Sequence, residues 1–127
     1  MSDKKTVVCI EDDVDLLDLV ERILREPNVE TYGALGAREG LAFVQSKKPD
    51  LVLLDLYLPG MSGWEVYRRI RSDERLKDTP IIVVSACHAK IATALGHDLS
   101  GVADYISKPF SVAQLRTSVD RALGIAL

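Results

Sequence analysis

The chain has 127 residues and a mass of 14.0 kDa, the size of one domain, and a domain of that size hides roughly two-thirds of its unfolded surface. Apolar residues make up 47% and charged residues 28%, which is ordinary for a soluble globular protein. The net charge of −3 gives no broad attraction to nucleic acid, no apolar run approaches the ~20 residues of a membrane span, and the N-terminal "MSDKK" lacks the apolar stretch of a signal peptide. The expectation is a cytoplasmic protein without membrane or direct nucleic-acid partners. Cys9 and Cys87 form no Cys-x-x-Cys motif and read as unpaired thiols of a reducing compartment.

Short β-rich runs alternate with amphipathic ones. "TVVCI" (6–10) predicts a strand, and Val14 to Arg25 a helix with Leu16, Leu19, Val20, Ile23 and Leu24 in one stripe. Pro27 and Asn28 break it, "VETY" (29–32) predicts a weak strand, and Ala37 to Gln45 a helix built on Ala37, Leu41 and Val44. "DLVLL" (50–54) has the unbroken apolar pattern of a strand buried on both faces. Ser62 and Glu65 have capping-box spacing and open a third helix through Val66 and Ile70. "PIIVVS" (80–85) is another fully apolar strand. His88 to Leu99 predicts a fourth helix with Ile91 and Leu95 on one face, and "VADYI" (102–106) a fifth strand. Ser111 and Gln114 form a second capping box, Val112, Leu115, Val119 and Ala122 align behind it, and Gly124 is placed to end that helix.

Five β–α units predict an α/β fold, a parallel sheet covered by helices on both faces. Ligands in such sheets bind beyond the carboxyl ends of the strands. The first strand ends in Glu11, Asp12 and Asp13, the third in Asp55 and the fourth in Ser85, while Lys108 follows the fifth. One acid at such a place has a local explanation, and Asp13 has one, as cap of the next helix. Three together need more. If the first and third strands are neighbours, Glu11 and Asp12 sit beside Asp55, where they repel and resist desolvation. A hard divalent cation relieves both costs, and magnesium favours one or two carboxylates, a carbonyl oxygen and water. Transition-metal patterns are absent, since His88 and His97 stand nine apart and neither pairs with a cysteine. A carboxylate nucleophile, a cation site, an ammonium and a hydroxyl suit in-line phosphoryl transfer to Asp55.

In order, "VVCIEDD", "LVLLDLYLPGMSG", "IIVVSA" and "VADYISKPF" resemble the response-regulator receiver domain of two-component signalling, of the chemotaxis-regulator kind. The likeness covers essentially all of residues 1–127 as a single receiver domain. Asp55 follows Asp12 by 43 residues, and Ser85 and Lys108 follow Asp55 by 30 and 53, the family's spacing. The resemblance implies a doubly wound (βα)5 fold with flavodoxin-like strand order 2-1-3-4-5. It implies that Asp55 takes phosphate from a histidine kinase or histidine phosphotransfer protein. Mg2+ would be bound by Asp12, Asp55 and the backbone carbonyl of Tyr57, with Glu11 acting through a water. Lys108 would pair with the phosphoryl group, and the Lys108–Pro109 bond would be cis. Ser85 and Tyr105 match the switch pair, whose hydroxyl moves toward the phosphate while the aromatic ring follows inward. The output face would be the fourth helix, fifth strand and fifth helix, roughly Lys90 to Arg121. Glu11 replaces the commoner aspartate, and Tyr57 and Cys87 are less usual residues that flank the phosphate and bear on its lifetime.

Three other readings fit less of the chain. A flavodoxin-like carrier needs a first loop that cradles a phosphate, and "EDDVD" repels one. A phosphatase of the haloacid dehalogenase type wants a second aspartate where Tyr57 stands. The alternative from another class is a degenerate receiver that only binds proteins, against which the intact Asp12, Asp55, Ser85 and Lys108 set argues. The expectation is no enzyme in the ordinary sense, since the chain would catalyse only its own phosphorylation and dephosphorylation. A short diffusible receiver is expected rather than one excised from a longer chain, acting through a downstream partner or self-association.

Overall fold

The least polar runs occupy the middle of the sheet. In the computed structural model, which describes residues 4–125, β1 (Lys5–Ile10), β3 (Leu51–Leu54) and β4 (Ile81–Ser85) lie side by side, with β2 (Val29–Ala34) and β5 (Asp104–Ser107) at the edges. The order is β2-β1-β3-β4-β5, and every neighbouring pair is parallel, as expected. Side chains alternate between the faces. Val7, Cys9, Leu51, Leu53, Ile82 and Val84 meet α1 (Val14–Ile23) and α5 (Val112–Leu123). Val8, Ile10, Val52, Leu54 and Ile81 meet α2 (Ala37–Lys47) and α3 (Gly63–Ser72) on the other face. Ile10 pairs with Leu54, so the next residues, Glu11 and Asp55, leave the sheet together at its carboxyl edge.

Caps form where the sequence places them. Asp13 Oδ1 accepts the Leu16 N–H (3.1 Å), Ser62 Oγ that of Glu65 (3.3 Å) and Ser111 Oγ that of Gln114 (3.0 Å). The Glu65 carboxylate turns to Arg68 and Arg69.

Two expectations are corrected. The buried stripe of α1 is Leu17, Val20 and Ile23, followed by Leu24, whereas Leu19 is largely exposed and Leu16 half-buried. Leu16, Leu17 and Leu19 are equally apolar, and only the packing direction of the helix decides among them. The fourth helix, expected over His88 to Leu99, is α4 (Ala89–Ala94), a short helix capped by the His88 imidazole. Gly96 at φ +92 ends it, in a left-handed conformation that disfavours other residues. Ile91 and Leu95, the expected anchors, are 56% and 63% exposed, and α4 rests on the sheet through Ala92 instead.

These positions test the assignment of faces. Leu53→Ala should cost about 3 kcal/mol in urea unfolding at unchanged m-value, as for other buried leucines. Leu95→Ser should stay within about 0.5 kcal/mol of the parent. A loss with Leu95→Ser as large as that with Leu53→Ala would contradict the outward face of α4.

Candidate functional site

Carboxylate oxygens of Glu11, Asp12 and Asp55 lie within 4.8 Å of one another at the ends of β1 and β3. Glu11 and Asp55 are 3% and 6% exposed, while Asp12 faces solvent. All four oxygens of the buried pair have donors. The Asp13 N–H donates to Glu11 Oε2 and the Tyr57 N–H to Asp55 Oδ1, each at 3.0 Å. Lys108 Nζ bridges the remaining two, at 2.5 Å from Glu11 Oε1 and 2.9 Å from Asp55 Oδ2. Burial pushes the Glu11 carboxyl above its ordinary range, although the bonds from Lys108 and the Asp13 amide pull back. Burial also acts against the Lys108 ammonium, but its bonds to Glu11 and Asp55 outweigh that and hold it protonated. The lysine is set in place from behind, since its own N–H donates to the Ser85 carbonyl (2.8 Å). The Lys108–Pro109 peptide is cis, as the resemblance implied.

The wall on the α3 side is backbone. A Cβ on Gly63 would sit 2.0 Å from the Asp55 carbonyl oxygen, so only glycine lets the first turn of α3 press so close to the acid. The motif pointed to a turn here, yet no periodicity could show this contact.

On the β4 side, Ser85 is fully buried and its Oγ accepts the Cys87 N–H at 3.2 Å. Tyr105 is half-buried with its hydroxyl next to Ser85, donating to the Cys87 carbonyl. The phenol end of the ring therefore lies against Ser85 and Cys87. Tyr57 is 47% exposed, and its hydroxyl meets the Cys87 side chain, which pushes the phenol up to about 12. Tyr57 is joined to Asp55 through its N–H, and Cys87 to Ser85 through its own. Cys9 lies beneath them, with its thiol pushed up by burial first and by the Glu11 charge second.

The predicted site residues Glu11, Asp12, Asp55, Ser85, Tyr105 and Lys108 therefore converge on one edge. His88 and His97 do not join them: one caps α4, and the other stacks on Trp64. Hard oxygen donors suit a hard cation, and three carboxylates less one ammonium leave the two negative charges that a divalent ion balances.

The response regulator receiver domain family matches residues 7–120. The chain belongs to that family. It is similar to a signal receiver domain from Vibrio parahaemolyticus at 28% identity and a TM-score of 0.83, with 95% of this chain and 91% of that one covered. It is also similar to NtrX from Brucella abortus (32% identity, TM-score 0.81), where 98% of this chain corresponds to 27% of the longer protein. The receiver domain of sensor histidine kinase PA1611 from Pseudomonas aeruginosa, described with magnesium coordinated in its active-site cleft, shares the fold (24% identity, TM-score 0.83, 95% and 98% covered). Receivers are the signal-accepting domains of two-component systems, and the buried acidic cluster fits a phosphoacceptor site.

Lys108 should matter for stability as well as chemistry. In metal-free buffer Lys108→Met leaves two buried carboxylates facing each other, and unfolding should become easier by about 2 kcal/mol, less than for a fully buried pair because the lysine is 19% exposed. An unchanged urea midpoint would show that solvent, not Lys108, satisfies the pair.

Proposed function

We propose that this receiver accepts a phosphoryl group on Asp55 from a phosphohistidine of a histidine kinase or histidine phosphotransfer protein. The observation that carries the reading is the Asp55 carboxylate itself, oriented by the Tyr57 N–H on one oxygen and by Lys108 on the other. An Asp55 oxygen attacks the phosphorus in line, the P–N bond breaks, and the electron pair leaves with the imidazole of the donor. Lys108 then exchanges Asp55 for a phosphoryl oxygen, keeping its charge against the new negative charge. Ser85 donates its hydroxyl to another phosphoryl oxygen. Asp12, Asp55, the Tyr57 carbonyl and, through a water, Glu11 would hold Mg2+. When bound, the ion neutralises charge on the transferring group. A receiver of the same fold holds magnesium in its cleft, and the charge balance here suits that ion. The chain acts on no other substrate and catalyses only its own phosphorylation and dephosphorylation.

Movement of Ser85 away from Tyr105 frees the ring to repack, which couples a charge at Asp55 to the face made by α4, β5 and α5. That face would meet a downstream protein or a second copy. The donor protein would approach elsewhere, over an apolar groove of about 380 Å³ formed by Leu16, Leu19, Pro109 and Phe110 beside Lys108.

With an acyl phosphate and Mg2+, intact mass spectrometry should find one phosphoryl group, mapped to Asp55, and none after chelation or in Asp55→Asn. A phosphate retained by Asp55→Asn would sink the assignment. Asp12→Asn should weaken Mg2+ binding by more than about tenfold, read from Trp64 fluorescence. Leu19→Asp separates the donor from the chemistry: transfer from a phosphohistidine protein should slow, whereas the acyl-phosphate reaction should not change. Equal rates from the protein donor in both forms would remove the groove from the account.

A further inference from the structure

Between α4 and β5 the chain runs from residue 95 to residue 103 without regular structure, yet it is tied down by one face of α3. Trp64, Tyr67 and Arg71 stand three and four residues apart on that helix, so their side chains share a face. The His97 ring stacks on the Trp64 indole with centroids 4.0 Å apart and planes 12° from parallel. Tyr67 meets the same indole edge-on, at 5.8 Å and 80°. Arg71 lies over the Tyr67 ring and donates from Nη2 to the Gly101 carbonyl (2.9 Å), while its Nη1 holds the Thr79 and Lys77 carbonyls. Gly101 approaches Tyr67 so closely that a Cβ there would lie 2.3 Å from the phenol oxygen. Leu99 and Val102 complete the contact against a small core of Leu56, Trp64, Val83 and Ala92, on which Tyr105 and Cys87 also pack.

The other end of this arrangement is Asp55. Leu56 belongs to the same small core, Gly63 donates its N–H to the Leu56 carbonyl (2.9 Å), and Gly63 packs on the Asp55 carbonyl with no room for a side chain. A shift of the Asp55–Leu56 backbone therefore moves Gly63 and Trp64, and His97 rests on Trp64. The α4 helix is well placed to follow, because Ala92 is its one buried residue and belongs to this core. The indole Nε1 is buried with no hydrogen-bond partner among the described residues.

We propose that residues 95–102 form a strap docked on α3, and that Trp64 and His97 carry the state of Asp55 to α4 through the small core that Tyr105 also touches. The proposal rests on the phosphoacceptor reading of Asp55. His97 and Trp64 act as coupling residues and touch no reacting group.

The test is amide hydrogen exchange over residues 89–102, with and without Mg2+ and beryllofluoride, alongside Trp64 emission, Trp64 being the sole tryptophan. Phosphoryl uptake from an acyl phosphate is measured by intact mass on the same samples. In His97→Ala, uptake should match the parent, while the ligand-induced change in protection of α4 falls about fivefold or more, and His97→Phe should restore it by keeping the stack. Arg71→Lys, which replaces the separate donors Nη1 and Nη2 with a single nitrogen, should reproduce the loss, and serves if His97→Ala proves poorly folded. A protein that takes up phosphate normally but responds at α4 equally in the parent, His97→Ala and Arg71→Lys overturns the strap alone. A parent whose Asp55 takes up no phosphate overturns the phosphoacceptor reading, and the coupling with it.

Discussion

A carboxylate removed from water needs donors, and the two buried at this sheet edge share one lysine. Glu11 and Asp55 come from adjacent strands, whereas Lys108 follows β5, two strands away from β3. Its reach depends on the parallel register that places Ser85 opposite Ser107 and on the bond from the Lys108 N–H to the Ser85 carbonyl. A slip of one residue would turn each strand's core side chains to the opposite face and carry the lysine away from the acids. The fold and the site are therefore specified by the same pairing. Apolar alternation fixes the register, and the register delivers one positive charge to a place where it is needed.

Each acid at this edge also keeps a second, backbone donor, from Asp13 or Tyr57, so the Lys108 bond is not its only one. The residues behind it are held differently. Packing of β1, β3 and β4 is dense and apolar, whereas α4 touches the sheet through an alanine. Small side chains bring backbones close but bury little area, so this helix sits at the low-stability end of the structure.

What could be read from the sequence follows from how much apolar area each element buries. The central strands β1, β3 and β4 were legible because four or five consecutive buried residues leave a run with no polar interruption, and their ends were legible because acids and a serine interrupt it. Capping residues were legible at Asp13, Ser62 and Ser111 for the same local reason. The α1 stripe was misplaced by the choice among Leu16, Leu17 and Leu19, where hydrophobicity does not discriminate and tertiary contact does. The extent of α4 was misjudged because Ile91 and Leu95 have helical spacing yet face solvent. The contacts of Trp64 with His97, and of Gly63 with Asp55, join residues far apart in the chain or backbone to backbone. No pattern of residue types along the sequence encodes either one.

The two cysteines differ in a way that matters to anyone handling the protein. Cys9 lies in the core beneath the acids, where burial and the nearby Glu11 charge oppose formation of the thiolate, the form that attacks electrophiles. Cys87 lies half-buried at the rim, between the hydroxyls of Tyr57 and Tyr105. Of the two, Cys87 is the thiol that a maleimide can reach while the domain stays folded. The native sequence thus offers a single attachment point for a spin label or dye, at the mouth of the site, with no cysteine to remove first.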